Sequence, residues 1–483
     1  MRDYILLYIN GKRYQVSGEQ IFQPFSDFLR HEQGLTGTKV VCAEGDCGAC
    51  TALLGTVKNH ELIYEIFNTC IYYVYQLDCQ HVVTIEGLKA NGHLHAVQQS
   101  MIDHFSSQCG YCTPGFVVAA AGMFEKKNVL SEQDVRYGLT GNLCRCTGYQ
   151  PIIQAVLAVA PDTVPSIAEC FPSSAMLQDF EQHTTDSIAA HYEETITGKS
   201  VIKKFFNPAT LQEILDCKKQ YPAAAFVAGG TDISVQMNKG KVHPDTIISL
   251  SNLPNLDFIK RQEEYVRIGP KVCWAELEHF CKNTFPEWHK TLTVFGSPQI
   301  RNVGTIAGNI ANASPVGDSL PFLFVMNAEV ELSSVHGKRW VDINDFYHGY
   351  KNTEMTKEEL ITEIRLAPLN AVQKMKLYKV SKRKDLDIAI FTAGILLEEM
   401  DGVIQNIRIA YGGVGPVVLR LLETEAFLKK KQFCLETFRE AGKLARGEIT
   451  PISDVRASAE YRLQLSENIL LQFYYDVCEE QPC

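Results

Sequence analysis

The apolar positions change rhythm several times along the chain. Residues 4 to 16, YILLYINGKRYQV, place two apolar-rich runs on either side of Asn10-Gly11. That dipeptide suits a type I′ turn, so the stretch predicts a β-hairpin. PFSDFLRHEQG follows with helical spacing and Gly34 as its stop. Beyond a glycine- and cysteine-rich loop, ELIYEIFNTCIYYVYQL reads as strand, and residues 1–85 together predict a small β-rich domain with one helix. From 86 to 160 the period turns helical in HAVQQSMIDHF, PGFVVAAAGMFEKK and QPIIQAVLAVA, interrupted by SSQCGYCTPG and GLTGNLCRCTGYQP.

Residues 161–198 lose this periodicity and gain Pro, Ser and Thr, which predicts a linker between modules. Strand and helix patterns alternate over 199–368, as expected of an α+β or α/β domain. The last segment, 369–483, opens with strand-like KMKLYKVS and AIFTAGILLEE and closes in helical LETEAFLKKK and EYRLQLSENILLQFYYDV. No repeat of fixed period is evident.

Length and composition narrow the chemistry. A chain of 483 residues predicts about three or four domains. Its 46% hydrophobic and 21% charged content is that of a soluble globular protein. The net charge of −10 argues against a nucleic-acid partner. MRDYILLYIN lacks the apolar core of a signal peptide, and no stretch approaches the ~20 apolar residues of a membrane span. The expectation is a cytoplasmic protein with no membrane association. In a reducing compartment its sixteen cysteines point to metal binding before a disulfide framework.

Eight of the cysteines sort into two sets. Cys42, Cys47 and Cys50 are spaced C-x4-C-x2-C, with Cys70 further on, which is the plant-type ferredoxin spacing for a [2Fe–2S] cluster. Gly45 and Gly48 suit a loop that needs unusual φ values and backbone N–H groups aimed at sulfur. Zinc usually takes paired C-x2-C knuckles, and the x4 gap fits that poorly. The second set is Cys109-x2-Cys112 and Cys144-x-Cys146; alone it suits zinc, a redox dithiol or chance. Pro114-Gly115 and Thr147-Gly148 set tight helix entries, and these place the four sulfurs at helix starts, where the dipole favours thiolates. The other eight, Cys79, Cys170, Cys217, Cys273, Cys281, Cys434, Cys478 and Cys483, are scattered and read as ordinary thiols. His93 and His95 have no ligand pattern around them and read as solvated loop residues.

Nucleotide fingerprints are incomplete. Gly413-Val414-Gly415 lacks a third glycine, and GKS at 198–200 lacks the upstream glycine of a P-loop. AAAFVAGGTDIS is more telling: an apolar strand enters Gly229-Gly230-Thr231-Asp232, a turn suited to an anion nest for a pyrophosphate. FGSPQIRNVGTIAGNIANASPVGDSLP, 295–321, is a non-periodic Gly/Asn/Ser/Asp run too long for an ordinary connection.

In this order and spacing the two cysteine sets resemble the iron–sulfur half of the xanthine dehydrogenase/aldehyde oxidase molybdo-flavoenzymes, and the glycine segments resemble the family's flavin domain. The resemblance implies a multidomain α+β architecture. Its parts are a ferredoxin-like β-grasp domain, a four-helix [2Fe–2S] domain, a vanillyl-alcohol-oxidase-type FAD domain and an α+β C-terminal flavoprotein domain of the CO dehydrogenase type. By resemblance, all eight cysteines of the two sets are iron ligands of two [2Fe–2S] clusters. Phe226, Val227, Ala228, Gly229, Gly230, Thr231, Asp232 and Ile233 would wrap the FAD diphosphate. Thr305, Gly308, Asn309, Ser314 and Asp318 would line diphosphate and ribityl, with Phe295 beside the isoalloxazine. Ile361 in EELITEI matches an adenine-side contact, and Lys379 in YKVSKRKDLDIA a flavin-contacting lysine. Where the family carries an arginine near the flavin, this chain has Lys384. Plain readings stand beside these, with Phe295 as core and Asp318 as a helix cap.

The family's molybdenum portion normally follows the flavin module, and this sequence ends at Cys483. The resemblance therefore implies the small subunit of a split bacterial enzyme of the xanthine type, which takes hypoxanthine and xanthine to urate. Its partner would be a large molybdopterin-binding subunit, in a heterotetramer of two small and two large chains. Electrons would enter at the Cys109 set, pass the Cys42 set, reach FAD and leave to NAD+. No acid, base or nucleophile for substrate chemistry is expected on this chain. A related hydroxylase for an aldehyde or N-heterocycle, or a stand-alone iron–sulfur flavoprotein, remain alternatives.

Overall fold

The computed structural model describes residues 1–89, 92–196 and 199–479. It divides into two compact units, Met1–Pro254 with Ser297–Gly304, and Asn255–Gly296 with Thr305–Cys483. Gly198 of the half P-loop and the scattered Cys483 lie outside the described residues.

In the first unit β1 (Tyr4–Ile9) and β2 (Lys12–Ser17) pair antiparallel. Asn10 and Gly11 both take positive φ, 50° and 78°, as a type I′ hairpin demands. With β3 (Thr51–Lys58), β4 (Glu61–Asn68) and β5 (Gln80–Val83) they form a five-stranded sheet, order β2-β1-β5-β3-β4. β1 and β5 run parallel, which gives the β-grasp character. The alternate residues Ile5, Leu7 and Ile9 bury against Phe25, Phe28 and Leu29 of the short helical segment. The long apolar run read as strand does not stay extended. β4 ends at Asn68, and 3₁₀ turns at Thr69–Ile71 and Val74–Gln76 follow. Ile71 to Tyr75 are apolar because these bends are buried.

Four helices make the next layer: α1 (Ala96–Asp103), α2 (Thr113–Phe124), α3 (Glu132–Gly138) and α4 (Gln150–Leu157). α2 is apolar on nearly every face because it is the buried one, with Phe116 to Ala121 all in the core. His95, expected to be solvated, is instead a buried N-cap. Its Nδ1 accepts from the Val97 N–H at 3.2 Å, and Gln98 reaches back to its N–H.

The expected linker is largely structured, and this corrects the sequence reading. Ile167–Cys170 starts in a Ser166/Glu169 capping box, and α5 (Ser174–His183) follows. Met176 and Phe180, four apart, pack on Leu6, Tyr8 and Cys79. That helical pair was masked by the polar residues around it. Next comes β6 (Ile188–Ile196), which pairs with β7 (Lys199–Asn207); β8 (Ala225–Val227) and β9 (Thr246–Ser249) complete the order β6-β7-β9-β8. Phe205, Val227 and Ile247 of this sheet share one core with Ile5, Phe67 and Tyr75 of the ferredoxin-like domain.

The second unit holds an antiparallel sheet of Ile259–Arg261, Val266–Ile268, Leu360–Leu366, Glu329–Ser334 and Gly337–Asp342, in that spatial order. The run read as non-periodic contains the short helices Pro298–Arg301 and Ile306–Asn312, and the fully buried Leu320–Val325 begins at its end. A second sheet, Gln373–Val380, Phe391–Met400, Val403–Gly412 and Leu419–Arg420, is covered by Leu435–Gly447 and Ala459–Glu479 through Phe438, Ala441, Leu470 and Phe473. Its strand residues Met375, Leu396 and Ala410 also belong to the core around Trp274, Trp288 and Phe322. The compact units thus follow shared cores: the expected 199–368 module contributes its first strands to one unit and its later ones to the other. No single helix among the described residues is long and apolar enough to cross a membrane.

Candidate functional site

In the first cysteine set Cys70 lies in the 3₁₀ turn that follows β4, and Cys42, Cys47 and Cys50 lie on the loop leading into β3. Ala43, Gly45 and Gly48 all take positive φ there, at 54°, 78° and 67°. Glycine at 45 suits this left-handed conformation, and a side chain there would also push aside the Ile71 Cδ1 methyl, 2.6 Å away. Cys50 and Cys70 are buried beside Val40, Ile71, Val235 and Ile300. The thiols form a chain of contacts, Cys47 to Cys42, Cys42 to Cys70 and Cys70 to Cys50. Shared protons split their acidities. Hydrogen bonds from Cys47 and Cys70 hold Cys42 far below the usual thiol range, and their sharing with Cys42 pushes Cys47 and Cys70 up. The Glu44 N–H donates to Cys42 Sγ at 3.4 Å. Asn68 Nδ2 donates to the Gly45 carbonyl at 2.8 Å and pins the loop.

The second set spans two loops. Cys112 is the N-cap of α2, and Pro114 sits in that helix's first turn. The expectation that all four sulfurs stand at helix starts holds for Cys112 alone. Cys109, Cys144 and Cys146 lie further back, because Gly110, Gly148 and Tyr149 at φ 79°, 70° and 69° turn the loops before each helix begins. Cys146 and Cys109 approach at 3.5 Å between sulfurs, and Cys112 pairs with Cys144. Cys144 also receives the Thr147 N–H at 3.5 Å. Among the described residues no three His, Cys, Asp or Glu side chains are gathered around a single-ion position; in this second set the thiols meet two by two. Paired thiols with N–H groups directed at sulfur fit a binuclear iron–sulfur group, and loading it would replace the shared protons.

The two cysteine loops interlock. The Leu143 N–H, next to Cys144, donates to the Cys47 carbonyl at 3.0 Å. Asn142 Nδ2 donates to the Gly48 carbonyl at 3.0 Å. Gln299, fully buried, donates to Asn142 Oδ1 at 2.9 Å and Thr51 Oγ1 at 3.1 Å. A Cβ at Gly115 would overlap the Gly48 carbonyl oxygen. Asn142 and Gln299 carry no motif and no sequence signal; their burial and their partners exist only in the folded chain.

The glycine turn of the first unit fits a bound diphosphate by its shape. It leaves β8 at Val227, passes Ala228 to Asp232, and enters the helix Ile233–Asn238. A Cβ at Gly229 would overlap the Val303 carbonyl oxygen, and Gly230 takes φ 72°. Ser234 Oγ is buried there without a hydrogen-bond partner. Phe226 lies 3.9 Å below the ammonium of Lys218, whose pKa burial lowers to about 8. Thr231 and Ile233 are half-buried, and Asp232 is exposed and accepts from Gln236.

In the second unit Thr305 caps the helix Ile306–Asn312, its Oγ1 accepting from the Gly308 N–H at 3.2 Å. Asn309 Oδ1 accepts from Ser319 Oγ at 2.6 Å, and Ser314 is half-buried. Asp318 is not a cap. It forms a buried ion pair with Lys379 at 2.7 Å, and Lys379 also donates to the Val294 carbonyl at 2.9 Å. Desolvation pushes the Asp318 carboxyl above its usual range, and Lys379 offsets only part of that rise. Phe295 is half-buried with its ring 4.7 Å from that of Trp274. Ile361 is a core residue of Leu360–Leu366. Lys384 is exposed, and the neighbouring Arg383 binds Asp387 at 2.7 Å.

Comparison with known proteins agrees with this geometry. Residues 84–157 match the [2Fe–2S] binding domain, 200–368 the FAD binding domain in molybdopterin dehydrogenase, and 376–477 the CO dehydrogenase flavoprotein C-terminal domain. Xanthine dehydrogenase 1 of Arabidopsis thaliana is 30% identical over 97% of this chain and 39% of the relative's length. The xanthine dehydrogenase/oxidase of Gallus gallus is 26% identical over 99% of the chain and 40% of the relative. The chain thus spans about two fifths of these relatives. Among solved structures, the carbon monoxide dehydrogenase from Hydrogenophaga pseudoflava aligns with TM-score 0.54 and 25% identity, covering 56% of this chain and 94% of that one. Quinoline 2-oxidoreductase from Pseudomonas putida 86 gives TM-score 0.53 and 25% identity, covering 56% and 95%. The fold and the matched domains define a chain with iron–sulfur and FAD-binding modules of an electron-transfer subunit. The chain belongs to the xanthine dehydrogenase/aldehyde oxidase family of molybdo-flavoenzymes and carries that family's iron–sulfur and flavin modules.

Proposed function

We propose that this chain is the electron-transfer subunit of a cytoplasmic, NAD-dependent xanthine dehydrogenase of purine catabolism. In this reading Cys42, Cys47, Cys50 and Cys70 hold one [2Fe–2S] cluster, and Cys109, Cys112, Cys144 and Cys146 hold a second. Phe226 to Ile233, Phe295, Thr305, Gly308, Asn309, Ser314, Asp318, Ile361 and Lys379 are the flavin contacts. When bound, the clusters carry electrons singly and FAD pairs them for hydride delivery to NAD+. The chain's own residues exclude water from Cys50 and Cys70, aim N–H groups at Cys42 and Cys144, and fix the two loops against each other. The observation that carries the reading is this gathering of all eight thiols into two groups joined by the Leu143-to-Cys47 hydrogen bond.

The molybdenum centre belongs, on this proposal, to a separate molybdopterin-binding chain, two of each making a heterotetramer. Cys109 and Cys146 are exposed, as are Phe105, Tyr111 and Tyr149 on the neighbouring loops, and apolar exposure of that kind supports a partner surface. The solved relatives favour a second reading, a hydroxylase acting on a different small substrate such as an aldehyde or an N-heterocycle. Purification of the native complex decides between them. Bound molybdenum, a large partner and NADH formation from xanthine are expected. Molybdenum with turnover only of carbon monoxide, quinoline or an aldehyde favours the second reading. A chain that purifies alone without molybdenum refutes both.

A further inference from the structure

Asn238, which belongs to no cysteine or glycine motif, stands between the two cofactor-bearing loops of the first unit. It ends the helix Ile233–Asn238 that leaves the Gly229–Asp232 turn. Its Nδ2 donates to the Cys70 carbonyl at 2.8 Å and to the Ala43 carbonyl, next to Cys42, at 2.9 Å. Its Oδ1 accepts from Tyr73 Oη at 2.9 Å. Both amide protons and the amide oxygen are therefore committed to the loops that carry Cys42 and Cys70. The next residue, Lys239, pairs with Glu44 of the same cysteine loop at 2.5 Å. At the other end of the glycine turn, Gln76 Nε2 reaches the Ala228 carbonyl at 3.4 Å. Segment 70–76 thus grips the glycine turn before it begins and the helix where it ends.

These contacts have an electrostatic consequence. A carbonyl oxygen beside a thiolate-bound iron pair opposes an arriving electron, and an amide N–H on that oxygen offsets its negative end. Hydrogen bonds around a cluster are among the levers that set its potential. We propose that Asn238 is a positioning residue for the Cys42/Cys47/Cys50/Cys70 centre, holding the Cys70 and Ala43 carbonyls and joining that centre to the flavin turn. The inference rests on the iron–sulfur reading above.

The test uses the full chain with its cofactors bound and compares wild type with Asn238→Ala and Tyr73→Phe. EPR of the dithionite-reduced protein and redox titration read each cluster separately, and iron and FAD contents are measured alongside. Asn238→Ala is expected to keep its iron, move the g-values of one cluster and lower its midpoint potential, leaving the other cluster at wild-type values. Tyr73→Phe, which removes only the hydroxyl that orients Asn238, should shift the same cluster in the same direction by less. If Asn238→Ala does not fold, Tyr73→Phe decides alone. Wild-type spectra and potentials for both clusters in the variants, or equal shifts of both, overturn the proposal. A wild-type protein with no [2Fe–2S] signal refutes the cluster reading itself.

Discussion

Replacing Gly115 by alanine probes the contact that brings the two cysteine loops together. In an isolated helix the change should stabilise by up to about 1 kcal/mol, because alanine has the higher helix propensity. Here the added Cβ would overlap the Gly48 carbonyl oxygen and stand 3.1 Å from its carbonyl carbon and 3.2 Å from Ala49 Cα. Those neighbours are backbone, on a loop fixed by Asn142 and by the Leu143-to-Cys47 hydrogen bond, so they cannot swing aside. Relief requires α2 and the Cys47 loop to part by roughly 1 Å, and overpacking of this kind costs about 1–3 kcal/mol or more. The clash outweighs the propensity gain, and the net change is destabilising. Gly122, further along the same helix, is the control. Its Cβ would meet only the side-chain ends of Ile66 and Leu53, at 2.8 and 2.9 Å, which can shift. Thermal unfolding should show a fall for G115A and a smaller change for G122A. EPR of the fully reduced protein should show weaker magnetic interaction between the clusters in G115A. A G115A protein as stable as wild type, with unchanged spectra, would refute the interlocked loops.

Three further outcomes follow from the same geometry. Cys47→Ser should remove one cluster, with iron analysis falling from four to two atoms per chain and flavin reduction by substrate lost, while NADH still reduces FAD directly. Gly229→Ala, whose Cβ overlaps the Val303 carbonyl oxygen, should lower the FAD-to-chain ratio on purification with iron content kept. His81 is fully buried, accepts the Gly11 N–H at 3.0 Å through Nε2 and meets Tyr64 Oη at 2.7 Å through Nδ1. Burial lowers its pKa from 6.5 to about 4, so the unfolded chain takes up a proton before the folded one does. Its contribution is complete above pH 6.5 and lost as pH falls toward 4. The loss is about 3 kcal/mol for a difference of 2.5 pH units, and urea midpoints for His81→Gln should flatten over that window.

The parts of the fold that repeat a local period were readable from sequence. Asn10-Gly11 named its turn, α2 its burial, and the spacing of Cys42, Cys47 and Cys50 their common loop. What escaped depended on long-range packing. The run Ile71 to Tyr75 looks like strand because burial, rather than β-pairing, selects apolar residues there. Residues 161–198 looked like a linker because Met176 and Phe180 are the sparse apolar contacts of an otherwise polar helix. In the site, the thiols announce themselves, whereas Asn142, Gln299 and Asn238 do not. An amide has no spacing rule, and its role exists only once a partner carbonyl is brought to it. Asp318 passed for a cap by its position before a helix, and only the folded chain brings Lys379 to within 2.7 Å of it.

The most direct test of the account is the cofactor content of the purified native chain, measured as iron, acid-labile sulfide, zinc and FAD together with EPR of the reduced protein. The account predicts four irons, four sulfides and one FAD per chain, no stoichiometric zinc, and two distinguishable [2Fe–2S] signals. Two irons with a single signal, or zinc in place of iron at either set, would contradict it.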